Sequence, residues 1–239
     1  MGQKRVGVRP RSTSNIITDG LVLHLDAGNT SSYPGTGIDW YDLTNNDNDG
    51  TLLNGASYVT DGGGSISFDG VNDYVDVPAI QPTRFTLSSW FKAVGAPSNN
   101  DSAGGMLIAA NPQMFGGGLD FYLSHSWALQ CIRFGVQGNN IATSNNSALN
   151  NQIYNAVATY DGTTIKIYVN GELAISRAHT KDPIYPTSGD INVKIGKWGY
   201  GPWQRNLNGN IYSSQIYNRA LTESEIQQNY NTTKGRFGL

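Results

Sequence analysis

The sequence predicts an all-β fold: two packed antiparallel sheets, a sandwich or jelly roll, with one short C-terminal helix. Three observations carry this expectation. Glycine supplies 29 of the 239 residues and asparagine 25, an excess of turn formers that cuts the chain into short elements. Charged residues make up 14%, against roughly 25% in an average globular protein. Only three are glutamate, Glu172, Glu223 and Glu225, so long solvated helices are nearly excluded. Apolar residues then recur with period two, or in short runs bounded by Gly and Asn, as strands require.

In chain order the strand candidates are Leu21–Asp26, Ser65–Phe68, Tyr74–Val77, Arg84–Lys92, Met106–Ala109, Leu119–Leu123, Ala128–Phe134, a meander from Ala156 to Arg177, Ile191–Ile195 and Ile211–Tyr217. Short strands at this spacing indicate two packed antiparallel sheets. In Arg84–Lys92, Phe85, Leu87 and Phe91 share one face, while Arg84, Thr86, Trp90 and Lys92 point the other way, so one face is core and the other a mixed surface. The meander is the clearest local structure. Ala156–Tyr160, Thr163–Val169 and Glu172–Arg177 are joined by Asp161-Gly162 and Asn170-Gly171, dipeptides suited to two-residue hairpin turns because both central residues can take positive φ. Ile165, Ile167 and Val169 share one face of its middle strand, and Lys166 and Tyr168 the other. For the helix, Thr222 is an N-cap with Glu225 three residues on, a capping box worth on the order of 1 kcal/mol, and Leu221 and Ile226 can form the accompanying staple. It should run to about Tyr230 and cover a sheet edge or one end of the sandwich.

One domain suffices for this length. It spans residues 19–233, between a basic arm, 1–18, and a basic tail, 234–239, both outside the packed pattern. The apolar fraction of 38% supports a real core, since a chain of this size buries roughly 70% or more of its unfolded surface. The net charge of −2 hides an asymmetry: Lys4, Arg5, Arg9 and Arg11 precede the first acid, Asp19, and leave 12 basic against 18 acidic residues, or −6, in the remainder. The arm, with Lys234 and Arg236 in the tail, is a candidate for docking on a larger assembly. Four charges without interleaved aromatics make nucleic acid a minor reading. The first 20 residues hold no apolar signal core, and no stretch approaches the ~20 apolar residues of a membrane span, so the expectation is a chain made without a signal peptide and not inserted in a membrane. Cys131 stands alone, which excludes an intrachain disulfide and a thiolate metal cluster and reads as a buried, inert thiol.

The chemistry is sparse. A sugar-cleaving sandwich needs two carboxyl groups about 5 to 9 Å apart across the scissile bond. Glu223 and Glu225 fall on the helix, Glu172 follows a hairpin turn, and Asp73 and Asp76, three apart, point to opposite strand faces, so no catalytic pair is expected. His24, His125 and His179 are scattered, and neither a nucleophile elbow nor a phosphate loop occurs. The Gly-rich runs at 62–64 and 116–118 precede strands and are loops. Asn45, Asp47, Asp49 and Gly50 match the first half of a helix-loop-helix calcium loop, but Ala56 stands where the closing Glu belongs. Asp42, Asp47 and Asp49 are candidate Ca²⁺ ligands on a loop completed by carbonyls, and the alternative is an Asx-rich turn held by its own side chains. Trp198, Tyr200 and Trp203 form the remaining constellation, on a Gly/Pro loop. They either stack on a sugar ring or a protein partner, or close the end of the core.

The runs FDGVNDYVDV (Phe68 to Val77), FTLSSWFK (Phe85 to Lys92), ATYDGTTIKIYVNGEL (Ala158 to Leu173) and NGNIYSSQIYNRALTESEI (Asn208 to Ile226) resemble, in order, the laminin-G-like branch of the concanavalin A-like jelly rolls. The resemblance spans about residues 20 to 231. It implies two curved antiparallel sheets with carbohydrate or protein recognition on loops and the concave face, sometimes with calcium, and fixes no ligand because the fold hosts enzymes, lectins and adhesins alike. Gly20 to Leu43 and Tyr217 to Leu239 are similar to tailed-bacteriophage virion proteins of fibre, tail or capsid surface. That resemblance implies a non-catalytic virion structural protein with other virion proteins as partners, or alternatively a module recognising host surface glycans. A fibre setting would make it a homo-oligomer, with a trimer the expected form.

Overall fold

A computed structural model describes residues 16–96, 104–110, 121–185, 189–198 and 205–239. The basic residues Lys4, Arg5, Arg9 and Arg11 lie outside the described residues, as do Tyr200, Trp203 and the glycine run at 116–118. Turn formers divide the described chain into β1 Leu21–Asp26, β2 Asp39–Trp40, β3 Gly50–Leu53, β4 Ser57–Val59, β5 Ser65–Asp69, β6 Tyr74–Val77, β7 Phe85–Ala93, β8 Gly105–Ala110, β9 Phe121–Ser126, β10 Cys131–Val136, β11 Asn139–Ala142, β12 Ile153–Tyr160, β13 Thr164–Val169, β14 Glu172–Ala178, β15 Val193–Ile195, β16 Lys197–Trp198, β17 Arg205–Asn206 and β18 Asn208–Tyr217. Helix α1, Glu223–Thr233, and a 3₁₀ turn, Lys234–Phe237, complete it.

The strands form two eight-stranded antiparallel sheets and a small ribbon, as the fold class predicts. The first sheet runs β14-β13-β12-β7-β18-β5-β4, and the second β11-β10-β9-β8-β15-β6-β3-β2. Long β18 is the seam of the first sheet: β7 pairs along one side, while β5 takes its first half and β1 its second half on the other. The first and last strands of the domain are therefore neighbours.

Period-two alternation explains the core. Phe85, Leu87 and Phe91 of β7 point inward with Ile165 and Ile167 of β13, and meet Phe121, Leu123, Ile132 and Phe134 from the second sheet. Phe85 packs on Phe121 at 4.7 Å between ring centroids, and edge-on to Phe134 at 6.1 Å, a geometry suited to the ring quadrupoles.

The other face of β7 departs from expectation. Thr86, Ser88 and Trp90 are buried there rather than forming a mixed surface. The cause is the C-terminal segment. Trp90 stacks on Tyr230 of α1 (5.7 Å, 12°) and against Phe237 (4.4 Å), and its indole N–H donates to Thr233 Oγ1 at 3.0 Å. The tail is likewise packed. Arg236 donates to Asp26 Oδ1 at 2.6 Å, to the Gly62 carbonyl at 2.8 Å and to the Gly64 carbonyl. Its guanidinium also lies over the Tyr212 and Phe237 rings, and Lys234 lies over Tyr230. A basic hexapeptide read as an appendage is a clasp, because Phe237 and Arg236 find an aromatic seat and a carboxylate on strands distant in sequence. At the other end Ile16 is buried, and Ile17 bonds through its backbone N–H to Asn229 and through its carbonyl to Tyr217, so packing begins ahead of residue 19.

Of the two hairpin dipeptides, Asn170-Gly171 takes positive φ at both residues (51° and 81°), as its turn type needs. Asp161-Gly162 does not: only Gly162 is positive, at 97°, and Asp161 Oδ1 instead accepts from the Thr163 and Thr164 amides at 2.8 Å. This is an Asx turn, which a short carboxylate makes more readily than a second left-handed residue.

The capping box is present: Thr222 Oγ1 accepts from the Glu225 amide, and Glu225 accepts from the Thr222 amide at 2.8 Å. Arg219 adds two bonds to the same carboxylate at 2.7 and 2.9 Å. The Arg219 bond, opposed by desolvation and aided by the Thr222 donors, holds Glu225 down at about 2 against its ordinary 4.5. A carboxylate whose folded value lies below its unfolded one adds stability that is full above the unfolded pKa and drains as pH falls through the folded one. Glu225→Gln should therefore lose stability at pH 6 and show a flatter Tm profile between pH 4.5 and pH 2 than the wild type; parallel profiles would refute the coupling.

Candidate functional site

Among the described residues, the side of the second sheet turned away from the core carries a set of aromatic and cationic side chains. Alternation places Tyr74 and Asp76 of β6, Lys194 of β15, Met106 and Ala109 of β8, Tyr122 and Ser124 of β9, and Arg133 of β10 on this side, since Val75, Val77, Val193, Ile195, Phe121, Leu123, Ile132 and Phe134 all enter the core. Register then sets the neighbours: Lys194 lies opposite Asp76 and Ala109, Tyr122 opposite Ala109 and Gly135, and Arg133 opposite Ser124. Gly135 matters sterically. A Cβ there would sit 2.2 Å from the Tyr122 ring, so the missing side chain is what lets the phenol lie across β10.

Gly196, at φ +86°, turns the chain out of β15 into the ribbon. There Trp198 pairs with Arg205, and Lys197 with Asn206. The ribbon crosses β8, and Trp198 packs into a small buried cluster with Met106, Ala109 and Tyr122. Its ring is only 4% exposed, and its indole N–H finds no acceptor among the described residues. Trp198 is thus positioned by packing, and the Arg205 guanidinium covers it 5.0 Å from the ring centroid.

The rim is charged and half-buried. Lys197 stands 4.7 Å over the Tyr74 ring, with Lys194 at 5.6 Å. Lys194 bonds Asp76 and, at 2.9 Å, Asp190; burial opposes its charge, the two carboxylates outweigh it, and its pKa rises. Lys197 is pushed down by burial and by Lys194 beside it. Burial raises the Tyr122 phenol against the pull of Arg133 and Arg205. Among the described residues the Arg133 guanidinium has no carboxylate and no hydrogen-bond partner.

The other sequence candidates go elsewhere. Asp42 is buried, and its carboxylate accepts from the His24, Thr44 and Asn48 amides and from Thr44 Oγ1 (2.6 to 3.2 Å). Asp49 accepts from the Asp42 amide at 2.7 Å, while exposed Asp47 adopts φ +55°. Among the described residues no group of three His, Cys, Asp or Glu could hold a metal ion. Asp73 folds back to accept from the Asp69 amide at 3.0 Å, whereas Asp76 faces Lys194, so the two carboxylates serve different partners. His125 is buried with its Nε2 2.7 Å from the Ala148 carbonyl, and burial lowers its pKa. A second polar cluster lies at one end of the sandwich: Asp182 Oδ1 accepts from Arg84 at 2.6 Å and from Tyr160 at 2.8 Å. Burial, followed by the Asp182 bond, pushes the Tyr160 phenol up to about 12. This cluster is closed on itself. Tyr122, Arg133, Lys197 and Arg205 were missed as site residues. The signal available was strand parity, which sets Arg133 opposite Ile132 and Phe134.

A laminin G family profile, described as the concanavalin A-like lectin/glucanases superfamily, matches residues 68–227. No curated protein matches the sequence. Among solved structures, the chain is similar to a Trypanosoma rangeli sialidase in complex with the inhibitor DANA (TM-score 0.64, 21% identity, 90% of this chain and 33% of that one). It is also similar to domain 4 of AbnA, an extracellular arabinanase from Geobacillus stearothermophilus, in complex with arabinotriose (0.62, 18%, 88% and 98%). A third is the binding domain of Paraclostridial mosquitocidal protein 1 (0.62, 18%, 89% and 52%). The chain spans about a third of the sialidase's length. Identities this low carry the fold alone.

Proposed function

The chain belongs to the concanavalin A-like lectin/glucanases superfamily, and from that premise we propose that it is a non-catalytic glycan-recognition domain that contacts sugar through the outward side of its second sheet. One observation carries the reading: among the described residues the outward side of the first sheet is occupied by α1 and the clasp, whereas the second carries half-buried Tyr74, Lys197, Arg205 and Arg133 around the buried Trp198–Tyr122 cluster. Sugar sites combine such rings with a few orienting polar groups. The similar arabinanase domain, solved with arabinotriose, supports this ligand class. The three glutamates are placed apart from the patch, on β14 and the first turn of α1, which supports a binding rather than a hydrolytic role.

Because Trp198 is buried, its replacement would disturb packing, and Arg205→Ala is the cleaner probe. On a glycan array Arg205→Ala should lose about tenfold in affinity, the loss of a charge-assisted contact, while the fold is kept and Tm falls by no more than the few degrees that losing its cover of Trp198 costs. Full binding by the variant would move the site elsewhere, and hydrolysis of a bound glycan by purified protein would end the non-catalytic reading. The bacteriophage surface is the proposed setting, with other virion proteins as partners and the copies assembled as a homo-oligomer. It rests on the resemblance of Gly20 to Leu43 and Tyr217 to Leu239. Mass spectrometry of intact particles checks it, and absence of the chain would overturn it.

A further inference from the structure

Charge on this face runs against the charge of the domain. Residues beyond the arm carry 12 cations against 18 acids. Yet among the described residues the outward side of β6, β15, β8, β9 and β10, together with the ribbon, gathers Lys194, Lys197, Arg133 and Arg205 against Asp76 and Asp190. The acids are spent on one residue, Lys194, which takes both carboxylates. Arg133 is the informative residue. The other half-buried guanidiniums with printed ion pairs, Arg84, Arg219 and Arg236, all of them off the sheets, each pair with a carboxylate. Arg133 recruits none among the described residues, although its five donors form a planar fork matched to a bidentate oxyanion. Tyr122, its diagonal neighbour across β9 and β10, offers a phenol that feels both Arg133 and Arg205.

We propose that the ligand of this face is an anionic sugar, one bearing a carboxylate or sulfate, whose charged group is taken by Arg133. The inference rests on the glycan reading above and names its ligand class. A neutral sugar would leave Arg133 desolvated without return, whereas an oxyanion pairs it in a partly buried setting where such bonds are strongest.

The test titrates the full chain by calorimetry with three size-matched probes, an oligogalacturonate, a sulfated dextran oligomer and a neutral dextran oligomer, at about 50 mM and 500 mM salt. At low salt an anionic probe should bind at least about tenfold more tightly than the neutral one and weaken at high salt. Whichever of the carboxylated or sulfated probes binds more tightly identifies the group. Arg133→Gln should lose about tenfold toward that probe, while Lys166→Gln, on the other sheet, should not. Arg133→Lys should recover part of the loss. Equal binding of neutral and anionic probes, insensitive to Arg133→Gln, would overturn the anionic assignment and leave the glycan reading standing. No binding of any sugar would end both. A DNA oligonucleotide that competes equally and depends on Arg133 in the same way would make the face a polyanion site and overturn the sugar.

Discussion

Trp90→Ala is expected to cost about 3–5 kcal/mol of folding stability, the range for removing a large buried aromatic, and to lower Tm by about 10 °C or more in a chain of this size. The ring is 4% exposed and lies between Tyr230 and Phe237, so its loss opens a void bounded on both sides by aromatic faces. It also removes the indole donor to Thr233 Oγ1, which keeps its own bond to the Asn229 carbonyl. The damage should spread to the C-terminus, because Phe237 loses one of its two aromatic partners and the ring on which the Arg236 guanidinium rests is loosened. Limited proteolysis should accordingly release the end of the chain sooner from the variant. Deleting residues 234–239 should reproduce a large part of the loss without touching the sheet. An unfolding free energy in urea within about 1 kcal/mol of wild type for both proteins would show that the clasp contributes little.

Asp42→Ala is the second large effect, at about 2–4 kcal/mol, from leaving several buried donors without an acceptor. Three backbone amides, of His24, Thr44 and Asn48, converge on this one carboxylate, which ties β1 to the 42–49 loop. Asp42→Asn keeps the shape but replaces one accepting oxygen by a donor, so it should fall between wild type and alanine. If the carboxylate serves the loop, the loss measured by urea unfolding will be the same in chelator and in millimolar calcium. A loss that appears only with calcium would favour the metal reading, and both variants within about 0.5 kcal/mol of wild type would remove the loop-closing role.

The elements that sequence reasoning placed well are those set by local chemistry. Leu21–Asp26 and Tyr74–Val77 coincide with β1 and β6, the Asn170-Gly171 turn has the backbone it was expected to have, and Thr222 with Glu225 caps α1. Short strands escaped notice, among them Asp39–Trp40, Ser57–Val59 and the ribbon pair. Two or three residues hold no period, and their partners lie far along the chain. Ala128–Phe134 was entered too early, because Gln130 takes φ +49° in a turn and pairing starts at Cys131.

The candidate site was legible in part. Trp198 stood out by composition, but its burial depends on the ribbon crossing β8, which no local pattern encodes. Tyr122 and Arg133 were each placed inside a strand candidate, yet nothing local marks which outward positions neighbour one another. Their adjacency follows from the register of β9 with β10.

By itself, then, the sequence determined the class of the fold, the alternation that separates core from outward residues, and the cap of the helix, because each is decided within a few residues by sterics and hydrogen bonding. Only the tertiary structure decided which outward positions are covered by distant described segments. Trp90 and Arg133 occupy equivalent outward positions on their strands, but Trp90 is sealed by a segment about 140 residues away, while Arg133 has no carboxylate beside it among the described residues. That difference arises from where β18 delivers α1 and the clasp, a long-range pairing whose outcome no short window of sequence contains.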